Sequence, residues 1–373
     1  IVVNHKDNAK YFWAKYYVTT KTDLRTAAHE IAIGQSIGNP NKRSLWETDY
    51  MIENFCAKIY DTGNLGDNAG HVYIGYPYDL IDLSEDGVSQ LLCILMGGQM
   101  DIDNITGCRL VDLEIQSEHF KGPKYGIKGI REYVKVADRP LFGGIIKPKS
   151  GITTKQLLDM TKELVEGGVN FIKEDEILSS PHICRLEERV PVIAEYLKGK
   201  NVIYSFCINS DPLYVLERAK FIAAEGGNSV HVNVWNGLGV YKSLRDLDLP
   251  LFIHYQKSGD RTFTDANQPY SISWDVLCEL AGLSGVDFIH AGMWGGYLNN
   301  TDDELRQTLS ILHKHGVMPA LSCGMHPGLV QPITDRFGVD WMANVGGAIH
   351  ADPEGTKAGS LKMRKAIDDL NLS

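Results

Sequence analysis

The sequence predicts an α/β protein, a C-terminal (β/α)8 TIM barrel preceded by an N-terminal α+β domain of ferredoxin-like pattern. Three observations predict it. From about residue 140 onward eight short apolar runs alternate with helically periodic segments, which calls for a parallel sheet covered on both faces. No G-x-G-x-x-G follows the first run, so a doubly wound dinucleotide-binding sheet is disfavoured against a closed barrel. A chain of 373 residues also exceeds what one ordinary core fills, which leaves room for a second unit.

In the first part, 1–125, YFWAKYYVTT, NFCAKIYDT, HVYIGYP and CRLVDLEI read as strands. TDLRTAAHEIAIGQ and DGVSQLLCILMGG read as helices, and 126–139 as a connection into the barrel domain, 126–373. The barrel runs are PLFGGIIKPK, VNFIKEDE, NVIYSFCIN, NSVHVNVW, PLFIHYQK, VDFIHAGM, MPALSCGM and WMANVGGAIH. Between them, TTKQLLDMTKELVEGG and TDDELRQTLSILHKHG carry apolar residues at helical spacing and a glycine near the end, where a helix stops.

Hydrophobic residues at 43% and charged residues at 23% describe a globular chain able to bury a core. The formal net charge of −10 argues against nucleic acid or an anionic membrane as partner, while a locally positive pocket for a small phosphorylated metabolite remains compatible. Seven scattered cysteines with no C-x-x-C pair signal neither a disulfide framework nor a zinc site, so a reducing, cytoplasmic setting is expected. No apolar run approaches the roughly 18–20 residues that span a bilayer, and the N-terminus lacks a secretory pattern.

In a barrel of this type the active site lies at the C-terminal strand ends. Those ends carry Lys147 and Lys149 on the first strand, Lys173, Asp175 and Glu176 on the second, and His231 and Asn233 on the fourth. The later strands supply His254, His290, Ser322, Gly324, Gly346 and Gly347. Each alone has a bland explanation, strongest for His231 and Asn233: solvated lysines, satisfied core residues, glycine turns. Together they describe a cationic, metal-capable pocket. Asp175 and Glu176 are hard oxygen donors suited to Mg²⁺. A neutral Lys173 could react with CO₂ to give a carbamate, a third anionic ligand, and burial beside Lys147 and Lys149 is expected to lower its pKa from the reference of roughly 10.4. A Lys–Asp ion pair explains the same residues. Glu174 points the other way on a strand and is read as structural.

KPKSG, GGVNFIKEDE, FIHAG, SCGMHPG and NVGGAIH, in this order, resemble the RuBisCO large-subunit superfamily over nearly the whole chain. The resemblance implies that Lys173 is carbamylated and binds Mg²⁺ with Asp175 and Glu176, and that Lys147 is an acid/base group. It also implies that His290 and Ser322 contact substrate, as does the strand position of His254, and that Gly324, Gly346 and Gly347 offer backbone N–H groups to a phosphate, with Lys149 nearby. A homodimer is implied, because the small domain of the family completes the partner's site.

The departures carry as much. Tyr255 follows His254 where the carboxylases have a phosphate-holding arginine, and the loop GMWGGYLNN offers Tyr297 where they have a lysine. Gly34, Asn39, Pro40 and Gly98 replace residues that the family extends across the dimer. Carboxylation is therefore expected to be lost and enolisation kept, as in RuBisCO-like proteins of form IV type. With Met293, Trp294 and Tyr297 beside the far end of the pocket, an apolar methylthio group fits there, unless these residues are only loop packing. Since KPK is retained, the resemblance is nearest to the methionine-salvage 5-methylthioribulose 1-phosphate isomerase-like group. The alternatives are the 2,3-diketo-5-methylthiopentyl-1-phosphate enolase, another sugar-phosphate enolase or isomerase, or a non-catalytic binding paralogue.

Overall fold

A computed structural model describes residues 1–372. The chain forms two compact units, one of Ile1–Lys121 with Asp260–Leu280, the other of Gly122–Gly259 with the described chain from Ala281 onward.

The first unit holds strands β1 (Val2–Val3), β2 (Tyr11–Thr20), β3 (Lys58–Tyr60), β4 (Ala69–Pro77) and β5 (Ile105–Glu114), while β11 (Tyr270–Ile272) joins its far edge from later in the chain. The sheet order β1-β3-β4-β2-β5-β11, with helices Leu24–Gly34 and Gly87–Leu95 between its inner strands, contains the ferredoxin-like arrangement. In β2 the alternation buries Phe12, Ala14, Tyr16 and Val18. The run NFCAKIYDT is shorter as a strand than expected. Asn54 and Phe55 end a helix, Asp49–Phe55, which Thr48 caps by accepting from Met51 N–H, and only Lys58–Tyr60 pairs.

The second unit is a closed eight-stranded parallel barrel. Its strands are β6 (Leu141–Ile145), β7 (Phe171–Lys173), β8 (Ile203–Cys207), β9 (Ser229–Asn233), β10 (Phe252–Gln256), β12 (Phe288–Gly292), β13 (Met318–Leu321) and β14 (Met342–Val345), with β14 pairing β6 to close the ring. Helix Thr154–Glu166 starts in a capping box of Thr153 and Gln156, and helix Asp302–Lys314 in one of Thr301 and Glu304, so orphan N–H groups at both starts are satisfied by residues already in the sequence.

The segment 126–139 is more than a connection, since Gly126–Val134 is a helix. Its Ile130 and Val134 pack against Leu141, Phe171, Ile203, Phe252, Phe288 and Met342, the first residues of six strands. Apolar side chains thus plug the N-terminal end of the barrel, which leaves the opposite end for polar groups. No helix among the described residues is long and apolar enough to cross a membrane.

Candidate active site

Alternation along each strand decides what reaches the barrel's C-terminal mouth. On β7 Phe171 joins the plug layer, and two residues on Lys173 sits above it; Asp175 continues the same face beyond the strand end. These two, with Glu176, line a cavity of about 440 Å³. Lys147 and Lys149 line it from beyond β6, and His290 from β12. Ser322 and Gly324 follow β13, and Gly346 and Gly347 follow β14 on the same wall.

Lys147 Nζ lies 2.6 Å from Asp175 Oδ2, whose side chain is almost fully buried. Lys173 is 1% exposed; its Nζ donates to the Glu174 carbonyl at 2.9 Å and stands 3.5 Å from Glu176 Oε2. Burial lowers the Lys173 pKa, while Glu176 and Asp175 work against the shift. Removal from water is thus the leading cause, as the expected burial of Lys173 implies. Burial raises the Glu176 carboxyl, but Lys173, the Ser258 hydroxyl and Lys149 outweigh it and hold the group down to about 2. Burial, aided by Lys257 and Lys173, pushes the His290 imidazolium down to about 3, so the ring is neutral at pH 7.

Among the described residues no three His, Cys, Asp or Glu side chains group as a metal site. Asp175 and Glu176 supply two hard oxygen donors, so a third anionic protein oxygen for a cation such as Mg²⁺ requires a carbamate on the buried Lys173 amine. The donor set fits such an ion on that condition.

His254 is not on the cavity wall. It is fully buried one layer down, its ring stacked on Phe171 at 5.6 Å between centroids, and burial keeps its pKa well below the ordinary histidine value. Strand alternation instead brings Gln256 and then Ser258 to the mouth. Neither is among the residues the sequence singled out; the signal for Gln256 was a polar residue two positions beyond His254 on the same face of PLFIHYQK. Asn344 was missed too: it lines the cavity at 1% exposure, and neither side-chain amide atom has a hydrogen-bond partner. A polar residue inside the apolar run WMANV was its signal.

Glu174 does point outward. Its carboxylate takes both Arg189 Nε and Nη2, at 2.7 and 2.8 Å, and also accepts from Cys207 N–H. His231 is likewise core, and Asn233 accepts from Trp235 N–H in the turn that ends β9.

Two family models cover the chain: the RuBisCO large chain catalytic domain matches residues 126–371 and the RuBisCO large chain N-terminal domain residues 4–119. The chain belongs to the RuBisCO large-chain family. The ribulose bisphosphate carboxylase of Archaeoglobus fulgidus is 30% identical over 93% of this chain and 86% of its own. The 2,3-diketo-5-methylthiopentyl-1-phosphate enolase of Geobacillus thermodenitrificans is 29% identical over 95% and 91%. Among solved structures, the octameric RuBisCO of Pyrococcus horikoshii superposes with a TM-score of 0.89 at 29% identity, covering 98% of this chain and 91% of that one. A RuBisCO-like protein of Alicyclobacillus acidocaldarius gives 0.84 at 27%, covering 97% and 93%.

Within this RuBisCO-family chain the departures take definite places. Tyr255 turns away from the cavity, fully buried with its ring stacked on Tyr241 at 4.8 Å. The loop after β12 presents Tyr297 to the cavity. Met293 is wholly buried off the wall, and Trp294 donates to Asp302 at 2.6 Å beneath the Arg336 guanidinium, so these two are loop packing. Gly324, at φ +105, lets this loop approach: a Cβ there would stand 2.9 Å from Gly296 Cα and Tyr297 N. In the N-terminal unit, Gln35 braces the two glycine segments, donating to Ile94 O and accepting from Gln99 N–H, and Gly34 abuts Gln99.

Proposed function

We propose that this protein catalyses Mg²⁺-dependent enolisation and isomerisation of a phosphorylated ketose without fixing CO₂, with 5-methylthioribulose 1-phosphate as the substrate. One observation carries the reading: Lys147, Lys173, Asp175 and Glu176 converge in one cavity, to which the loop after β12 presents Tyr297. Lys147 and Lys149 line the cavity, and Lys149 stands on the wall that carries Gly346 and Gly347, where a phosphate can be held. Ile145, Met325 and Tyr297 supply apolar surface for a methylthio end.

Carbamylated Lys173, Asp175 and Glu176 would hold Mg²⁺, which when bound acidifies the C–H beside a ketone by drawing charge onto its oxygen. With the cation holding Asp175, Lys147 takes the proton at the adjacent carbon as the neutral amine and returns it as the ammonium. His290, neutral at pH 7, serves as a hydrogen-bond partner of the substrate oxygens rather than as a cation. Gly346 and Gly347, lacking side chains, leave room for the phosphate beside Lys149, and Gly324 lines the same cavity. Leu45, Trp46 and Tyr50, exposed on the N-terminal unit, support association with a second copy of the chain.

The 29% identical enolase favours a second reading, enolisation of 2,3-diketo-5-methylthiopentyl 1-phosphate without isomerisation. Incubating the protein with Mg²⁺, bicarbonate and each substrate in D₂O, and following C–H exchange and product by NMR, separates the two. Absence of exchange with 5-methylthioribulose 1-phosphate overturns the isomerase reading. Labelled bicarbonate is expected not to enter acid-stable product from ribulose 1,5-bisphosphate. Lys173→Ala should abolish Mg²⁺-dependent exchange, whereas Lys173→Glu retains a little metal through its shorter carboxylate.

A further inference from the structure

The fifth barrel strand sends Phe252, His254, Gln256 and Ser258 along one face, and the last two form a hydrogen-bonded chain that ends on Glu176. Ser258 Oγ donates to Glu176 Oε1 at 2.7 Å, and Gln256 Nε2 donates to Ser258 Oγ at 2.7 Å. The Ser258 carbonyl is held by Asn233 Nδ2 at 2.7 Å, so the hydroxyl's backbone is fixed as well.

The donor directions are determined by chemistry. An ionised carboxylate only accepts, so the single serine proton goes to Glu176, and Ser258 must then accept from the amide. That turns Gln256 Oε1 the other way, and this oxygen, on a residue 5% exposed that lines the cavity, has no partner in the protein. With Oε1 of Glu176 engaged by Ser258, Oε2 is the carboxylate oxygen on the Lys173 side.

We propose that Gln256 and Ser258 are positioning residues that fix the Glu176 carboxylate in the orientation needed to bind a divalent cation. This rests on the proposed metal site but on no particular substrate. Partners that orient a metal ligand are worth about 10–100-fold in metal affinity when removed.

The test is a Mn²⁺ titration of the intact protein followed by EPR, with bicarbonate and no substrate present. Ser258→Ala is expected to weaken Mn²⁺ binding about ten-fold or more. Ser258→Thr, which keeps the hydroxyl, should restore binding to within about three-fold of the natural protein. Gln256→Leu should weaken binding in the same direction by less. Ser258 is half-buried, and thermal melts of each variant establish that it is folded before it is titrated.

Natural affinity in Ser258→Ala overturns the proposal. A Ser258→Thr protein as weak as Ser258→Ala overturns it too, because the hydroxyl would not be what matters, and natural affinity in Gln256→Leu removes Gln256 from it. Because the titration contains no ketose, its failure is distinct from failure of the exchange assay, which tests the proposed reaction.

Discussion

Lys147 Nζ and Asp175 Oδ2 stand 2.6 Å apart, and the carboxylate is 2% exposed. A cation bound at Asp175 competes with this ammonium for the same oxygens. Lys147→Met should therefore leave Mn²⁺ affinity equal or tighter while lowering proton exchange at least about 100-fold, the scale of a lost general acid–base group. EPR titration and the D₂O exchange assay on one preparation check both halves; weakened metal binding contradicts the competition.

The Glu174–Arg189 pair predicts a purely structural effect. Both side chains are wholly buried and joined at 2.7 Å. Removing one partner leaves a buried charge, so Arg189→Met should cost about 3–5 kcal/mol in urea unfolding. If loss of folding were the only consequence, the surviving folded fraction would still bind Mn²⁺ with natural affinity.

Asn344 predicts the reverse trade. Its amide atoms have no hydrogen-bond partner in the protein and the residue lines the cavity. Asn344→Leu is expected to raise stability by about 1–3 kcal/mol, the cost of an unsatisfied buried polar group, and to lower exchange activity. Activity unchanged by the substitution would mean that the amide touches no substrate.

Buried histidines set an acid limit. Burial depresses the pKa of His231 and His254 well below the ordinary value of 6.5, and that of His290 to about 3. The unfolded chain then binds more protons than the folded one below pH 6.5. Stability is full above that pH and falls as pH drops toward the folded values, by about 1.4 kcal/mol per pH unit for each such histidine. His254→Phe, which keeps the ring stacked on Phe171, should recover part of the loss between pH 7.5 and 5. Urea titrations at the two pH values decide this, and an unchanged slope refutes it for His254.

The sequence by itself determined the eight barrel strands, the ferredoxin-like and barrel units, and the polar strand ends, because each is written in local periodicity and short motifs, whereas the short edge strands β1 and β11 are not. Alternation within VNFIKEDE was enough to separate Glu174 from Asp175, since consecutive residues of a strand face opposite sides. Only the tertiary structure decided how far along each strand the cavity begins. It placed His254 one layer below the mouth and raised Gln256, Ser258 and Asn344 to the wall, because depth in a closed barrel follows from the stagger between strands and not from any one of them. It also supplied the burial that lowers the Lys173 pKa, and turned Gly126–Val134 into the plug of the far end. Burial and partnership are sums over segments distant in the chain, so a linear reading finds the groups and the folded barrel assigns their surroundings.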